Sequence, residues 1–100
     1  MPPILEISLM PSGKDGASMG DIVASALKIA KRHGVKFQLS SMGTAMEGDL
    51  STLLRVAQEM HESCFKLGYP RVQTIIKIDD RRDKDLTMEY KVKSVLEKLG

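Results

Sequence analysis

Aromatic side chains are scarce in this sequence, with two Phe, two Tyr and no Trp among 100 residues. Few rings are therefore available to stack on a flat ligand: Phe37, Phe65, Tyr69 and Tyr90, of which Phe65 is expected in the core. Cysteine occurs once, as Cys64, which excludes an internal disulfide framework and fits a reducing compartment, so the cytoplasm is the expected location. Long apolar runs are also missing, and nothing approaches the roughly 20 residues that span a bilayer. The opening Met1-Pro2-Pro3-Ile4-Leu5-Glu6 has no basic segment leading into an apolar run, so neither export by such a signal nor a membrane partner is expected. Charge of one sign is lacking too: the formal net charge is +2 with both signs interspersed, which argues against nucleic acid as a partner. Internal repeats and low-complexity segments are absent, and the length suits a single domain over residues 1–100.

What remains is a clear alternation of hydrophobic periods. Leu5, Ile7 and Leu9 alternate with Glu6 and Ser8, predicting a strand that Pro11 ends. Ser18 with Asp21 approximates a capping box, after which Ile22, Val23, Ala26, Leu27 and Ala30 follow helical spacing as far as Gly34. Val35, Phe37 and Leu39 alternate with Lys36, Gln38 and Ser40, and a turn around Met42-Gly43 leads into Thr44–Glu47, so this region reads as a hairpin. Asp49 is placed to cap a second helix whose stripe is Leu50, Leu53, Leu54, Ala57, Met60 and Cys64, with Gly68 and Pro70 beyond its end. A fourth strand follows at Val72–Ile78, and a last helix after Thr87 carries Met88, Val92, Val95, Leu96 and Leu99. The order is strand, helix, strand, strand, helix, strand, helix. That is an α+β, ferredoxin-like βαββαβ sandwich with a four-stranded antiparallel sheet and an extra C-terminal helix.

In such a fold two helices cover one sheet face. The other face then carries Glu6, Ser8 and Met10, Lys36, Gln38, Ser40 and Met42, and Gln73, Ile75 and Lys77; a two-residue hairpin loop adds Ala45 and Glu47 and turns Thr44 and Met46 to the core. Ile4, Met10, Met42 and Ile75 make this face awkward for a monomer. A second subunit, the last helix or both are expected to cover it, in a homodimer or homotetramer.

Glu6 is the most informative residue, because a mid-strand carboxylate on a covered face needs a cationic partner. Lys77 on the neighbouring strand is one candidate partner. The other is a cationic or amino-bearing ligand held by Glu6 and Glu47 and oriented by Ser8, Gln38 and Ser40. The sequence leaves both open. The loop Pro11–Ser18 lacks P-loop spacing and reads as a mobile connection, with anion binding a lesser option. His61 and Cys64 lie three apart on the second helix without further Cys, so no metal site is expected and Cys64 reads as core. The charged run Asp79–Asp85 balances itself and reads as a solvated loop with local ion pairs. No Ser-His-Asp or Cys-His arrangement stands out, so neither catalysis nor a cofactor is expected.

Three separated segments then agree in order with one known pattern: Glu6-Ile-Ser-Leu-Met-Pro11, Met42-Gly-Thr-Ala-Met-Glu-Gly48, and Arg71-Val followed by Ile78-Asp-Asp-Arg-Arg82. Together they resemble the thiamine-binding-protein family, which is related to YkoF-like proteins, over almost the whole chain. The resemblance implies a ferredoxin-like subunit that forms dimers and often tetramers, binds thiamine or its pyrimidine portion in the cytoplasm, and catalyses nothing. Glu6 and Ser8 match the family's first-strand pattern, while Gly43, Thr44, Glu47 and Gly48 match its middle motif. Ser41 stands where that pattern has a proline, and Phe37 where it has a tyrosine.

Overall fold

The computed structural model describes residues 1–16 and 18–100. Its elements are β1 (Ile4–Ser12), α1 (Met19–Arg32), β2 (Lys36–Leu39), β3 (Thr44–Glu47), α2 (Leu50–Lys66), β4 (Arg71–Asp79) and α3 (Met88–Leu99). The strands form one sheet in the order β2-β3-β1-β4, each neighbouring pair antiparallel. This is the ferredoxin-like arrangement that the alternation of periods predicts.

The start of each helix is fixed locally. The Ser18 hydroxyl accepts from the Asp21 N–H while the Asp21 carboxylate accepts from the Ser18 N–H, a complete capping box on α1. Asp49 accepts from the Thr52 N–H to start α2, and Thr87 accepts from the Tyr90 N–H to start α3. Gly34 and Gly68 follow the ends of α1 and α2 at φ of 68° and 96°, a region costly for side chains with a Cβ.

Leu5, Ile7 and Leu9 point from β1 into a core shared with Met46 of β3, Ile22, Ala26 and Ala30 of α1, and Leu53, Val56, Met60 and Cys64 of α2. Full burial of each such large aliphatic side chain contributes about 1.5–3 kcal/mol. Thr44 and Met46 are buried, whereas Ala45 and Glu47 stand opposite Glu6 and Ile4 on the other face. The hairpin loop is therefore the two residues Ser41 and Met42, closed by the Ser40 N–H donating to the Gly43 carbonyl at 2.9 Å.

Three expectations need correction. β1 does not stop at Pro11 but runs through it to Ser12, paired with β4 as far as Arg71. β3 leaves β1 at Ile7, so the far side of β1 has no strand there to which Pro11 would owe an N–H. Phe65 is exposed rather than core: its ring meets His61 edge-on at 5.4 Å, and His61 in turn meets Thr74 of the edge strand β4, so Phe65 lies toward the open side of the sheet. Leu54 is likewise exposed, and Val56 takes the buried place on α2. The loop expectation for Pro11–Ser18 falls partly on Ala17, outside the described residues.

Candidate functional site

The open sheet face has two ends of different chemistry. One lies under α3, where pairings across β2, β3, β1 and β4 align Lys36, Glu47, Ile4 and Asp79 in one row and Gln38, Ala45, Glu6 and Lys77 in the next. The charges in these rows are answered within the chain. The Glu47 side chain is only 8% exposed, accepts the Met88 N–H at the start of α3 at 2.7 Å, and lies 3.7 Å from Lys36. A carboxylate at a helix N-terminus meets both a free N–H and the positive end of the helix dipole. Lys36 also bonds Glu89 at 2.5 Å, which raises the Lys36 pKa and lowers that of Glu89. Lys91 bonds Asp79, and Lys77 lies 3.7 Å from Glu6. Met88 is buried here, and Met88, Val92 and Ile4 border one shallow recess.

The other end is neutral. Past Ile7, β1 has β4 on one side and no strand on the other, and the gap opens into a cleft of about 450 Å³ bounded by the β2–β3 hairpin and the first turns of α1. Its mouth is formed by Ser8, Met10, Ser40, Met42, Gly43 and Ile75, and its deeper wall by Ile7, Leu9, Val23, Leu27, Thr44 and Met60. Among the described residues, none that line it carries an ionisable side chain. Pockets of this size with apolar walls and a few hydroxyls are suited to small organic ligands.

The hairpin is held over this cleft by its own polar groups. Ser8 donates its hydroxyl to the Met42 carbonyl at 3.0 Å, and Ser40 donates its own to the Gly43 carbonyl at 3.0 Å. Gly43 packs against β1 so closely that a Cβ there would lie 3.1 Å from Ser8 Oγ, 3.4 Å from the Ile7 carbonyl and 3.5 Å from Glu6 Cγ. Met42 projects into solvent, 88% exposed.

The residues singled out from the sequence thus fall into two groups. Ser8, Ser40, Gly43 and Thr44 line the cleft together with Met10, Met42 and Ile75. Gln38, Lys77 and Ile4 belong to the charged end, and Glu47 is committed to α3. Glu6 stands between them, with its carboxylate toward Lys77 and its stem beside Gly43. Val23, Leu27 and Met19 of α1 were not anticipated as lining residues, since helical spacing gives an apolar stripe whether it meets a core or a cleft.

Elsewhere, His61 Nδ1 and the Thr74 hydroxyl lie 2.6 Å apart, whereas Cys64 is fully buried and its thiol donates to the Met60 carbonyl; burial pushes the thiol pKa up. The two do not act as a pair. In the charged run, Arg81 bonds Asp83 and Arg82 bonds Asp80, as a solvated loop requires.

A ferredoxin-like sandwich with a neutral cleft at one end of its open face is the class of molecule these features define. The chain belongs to the thiamine-binding protein family, whose pattern matches residues 5–96. It is 42% identical over 96 residues to the UPF0045 protein YqgV of Bacillus subtilis, spanning 92% of each chain. The solved structure of MJ1052 from Methanocaldococcus jannaschii is 37% identical and superposes with a TM-score of 0.84 over 97% of this chain and 99% of that one. A Thermotoga maritima chain, TM0486, described in terms of thiamine biosynthesis or salvage, is 19% identical; its TM-score of 0.75, over 93% of this chain and 97% of that one, speaks to the fold alone. Among the described residues no helix is long and apolar enough to cross a membrane.

Proposed function

We propose that this protein binds thiamine, or a hydroxymethylpyrimidine-like precursor of it, in the hairpin cleft, and that it does so in the cytoplasm without catalysing a reaction. The observation that carries the reading is the cleft itself: about 450 Å³, apolar in depth, with the Ser8 and Ser40 hydroxyls at its mouth, in a chain of the thiamine-binding family. An aminopyrimidine ring fits such walls, and its amino and ring nitrogens match hydroxyl and carbonyl partners at the rim. The cationic thiazolium of thiamine would then lie toward Glu6, the carboxylate nearest Gly43. Methionine sulfur and aliphatic groups, rather than aromatic rings, would contact the ring faces.

The same lining argues against catalysis, because no side chain in it exchanges a proton near neutral pH. It also argues against phosphorylated ligands, whose charge would meet neither Lys nor Arg in the cleft. Titration calorimetry with thiamine, hydroxymethylpyrimidine and the thiamine phosphates tests the reading. Saturable heat with the first two and weaker or absent heat with the phosphates is expected. Silence with all of them at millimolar ligand would refute it.

A further inference from the structure

Main chain bounds the hairpin cleft as well as side chains. Gly48 donates its N–H to the Pro3 carbonyl at 3.1 Å, one step beyond the pairing of Ile4 with Glu47. Opposed residues of antiparallel strands alternate between pairs that exchange main-chain hydrogen bonds and pairs that do not. Pro3–Gly48, Leu5–Met46 and Ile7–Thr44 are therefore the bonded pairs, and the β1 residues between them turn their main-chain groups to β4. One step further, the same register would set Leu9 against Met42. That pair does not form: the Met42 carbonyl accepts from the Ser8 hydroxyl at 3.0 Å, and the hairpin has already closed on β2 through the Ser40 N–H and the Gly43 carbonyl.

Leu9 is left with an N–H and a C=O that point into the gap between β1 and the hairpin and meet no partner among the described residues. Yet Leu9 lines the cleft and is only 9% exposed. Main-chain groups so far from bulk water are seldom left unpaired, because each then costs its full desolvation. The next β1 residue of the same orientation is Pro11, which has no N–H. A further strand therefore cannot continue along this edge, and what the edge offers is one donor beside one acceptor. The Ser8 and Ser40 hydroxyls give their protons to the Met42 and Gly43 carbonyls, so at the rim they serve a ligand as acceptors.

We propose that the main chain of Leu9 reads the edge of the ligand, its N–H donating to a ring nitrogen and its carbonyl accepting from an amino group next to that nitrogen. The ligand class is an N-heterocycle with an exocyclic amino group beside an unprotonated ring nitrogen, as in the aminopyrimidine of thiamine. This recognition presupposes the cleft as the ligand site and specifies what the site distinguishes. In the corresponding lactam an oxo group replaces the amino group and the ring nitrogen carries the hydrogen, so donor and acceptor exchange places. Such a ring matches Leu9 only after turning over, which carries the substituent beside the oxo group to the opposite side. A site built on hydrogen bonds rejects the wrong pattern strongly, because its own buried groups are then left unpaired.

Amide hydrogen exchange followed by NMR reads Leu9 directly. In the free protein its amide is expected to exchange about tenfold or more faster than that of Ile7, which is bonded to β3, and to slow by about tenfold or more once thiamine saturates the cleft. Calorimetry is expected to show the 4-oxo analogue of thiamine binding about tenfold or more weakly than thiamine itself. A Leu9 amide already protected in the free protein, or unchanged by bound thiamine, would overturn the proposal while leaving the cleft as the ligand site, and so would equal affinity for the two compounds. Heat from neither compound would remove the cleft reading and this recognition with it.

Discussion

The two ends of the open sheet face are built from the same four strands and differ in who answers their polar groups. Under α3, Glu47, Lys36, Asp79 and Glu6 each meet an opposite charge or an N–H of the same chain. At the hairpin, the polar groups are hydroxyls and carbonyls that brace the turn, and the cleft behind them is uncharged. Charge on an open face is therefore a weak guide to a binding site. An ion pair completed within the chain holds the structure, and a neutral cleft has the spare contacts a ligand needs.

Replacing Gly43 with leucine should break the comparison most sharply. The new Cβ meets Ser8 Oγ at 3.1 Å, dislodges the hydroxyl from the Met42 carbonyl and fills the cleft mouth. Ligand affinity by calorimetry should fall by about a hundredfold, or about 2.7 kcal/mol. Glu47→Gln acts at the other end: a neutral amide holds the Met88 N–H less well and leaves Lys36 with Glu89 alone. Urea unfolding should show a loss of about 1–2 kcal/mol, with ligand affinity within threefold of the parent by the same calorimetry. A large loss of affinity instead would unite the two ends in one site. Glu6→Gln removes an exposed pair and should cost at most about 1 kcal/mol of stability. Its effect on binding should separate the ligands, weakening cationic thiamine and sparing the uncharged hydroxymethylpyrimidine.

The smallest expected effect is acid sensitivity away from both ends. The His33 ring, with Arg32 beside it, holds the Glu59 carboxyl below its ordinary pKa, and the Ser51 hydroxyl with the Thr52 N–H does the same for Asp49. Below the ordinary carboxylate range the unfolded chain takes up these protons first, so the stability they confer is complete above that range. It is lost as pH falls through the lower folded values. Melting followed by circular dichroism should show Tm falling only below about pH 4, and less steeply in Glu59→Gln.

Much of this was legible in the sequence because period and face are local properties. The alternation of Leu5, Ile7 and Leu9 assigned β1 to its faces correctly, and the two-residue turn sent Thr44 and Met46 inward as anticipated. Pro11 misled because a proline ends a strand only where a neighbour needs its N–H, and that depends on how far β3 extends. Phe65 misled because helical spacing does not reveal that β4 is an edge. The division of the candidate site was hidden for the same reason: the partner of Glu47 is a backbone N–H 41 residues away, at the start of an element the βαββαβ pattern does not include.

The hairpin turn keeps its shape without help from the side chains at its tip. No residue of the turn, Gly43 included, adopts a positive φ, its bracing comes from Ser8, Ser40 and backbone carbonyls, and the side chains of Ser41 and Met42 face solvent or the cleft mouth. The two tip side chains therefore border the cleft without bracing the turn. If the proposed cleft is the ligand site, randomising residues 41 and 42 should change ligand preference while the sheet, the caps and the core stay as they are.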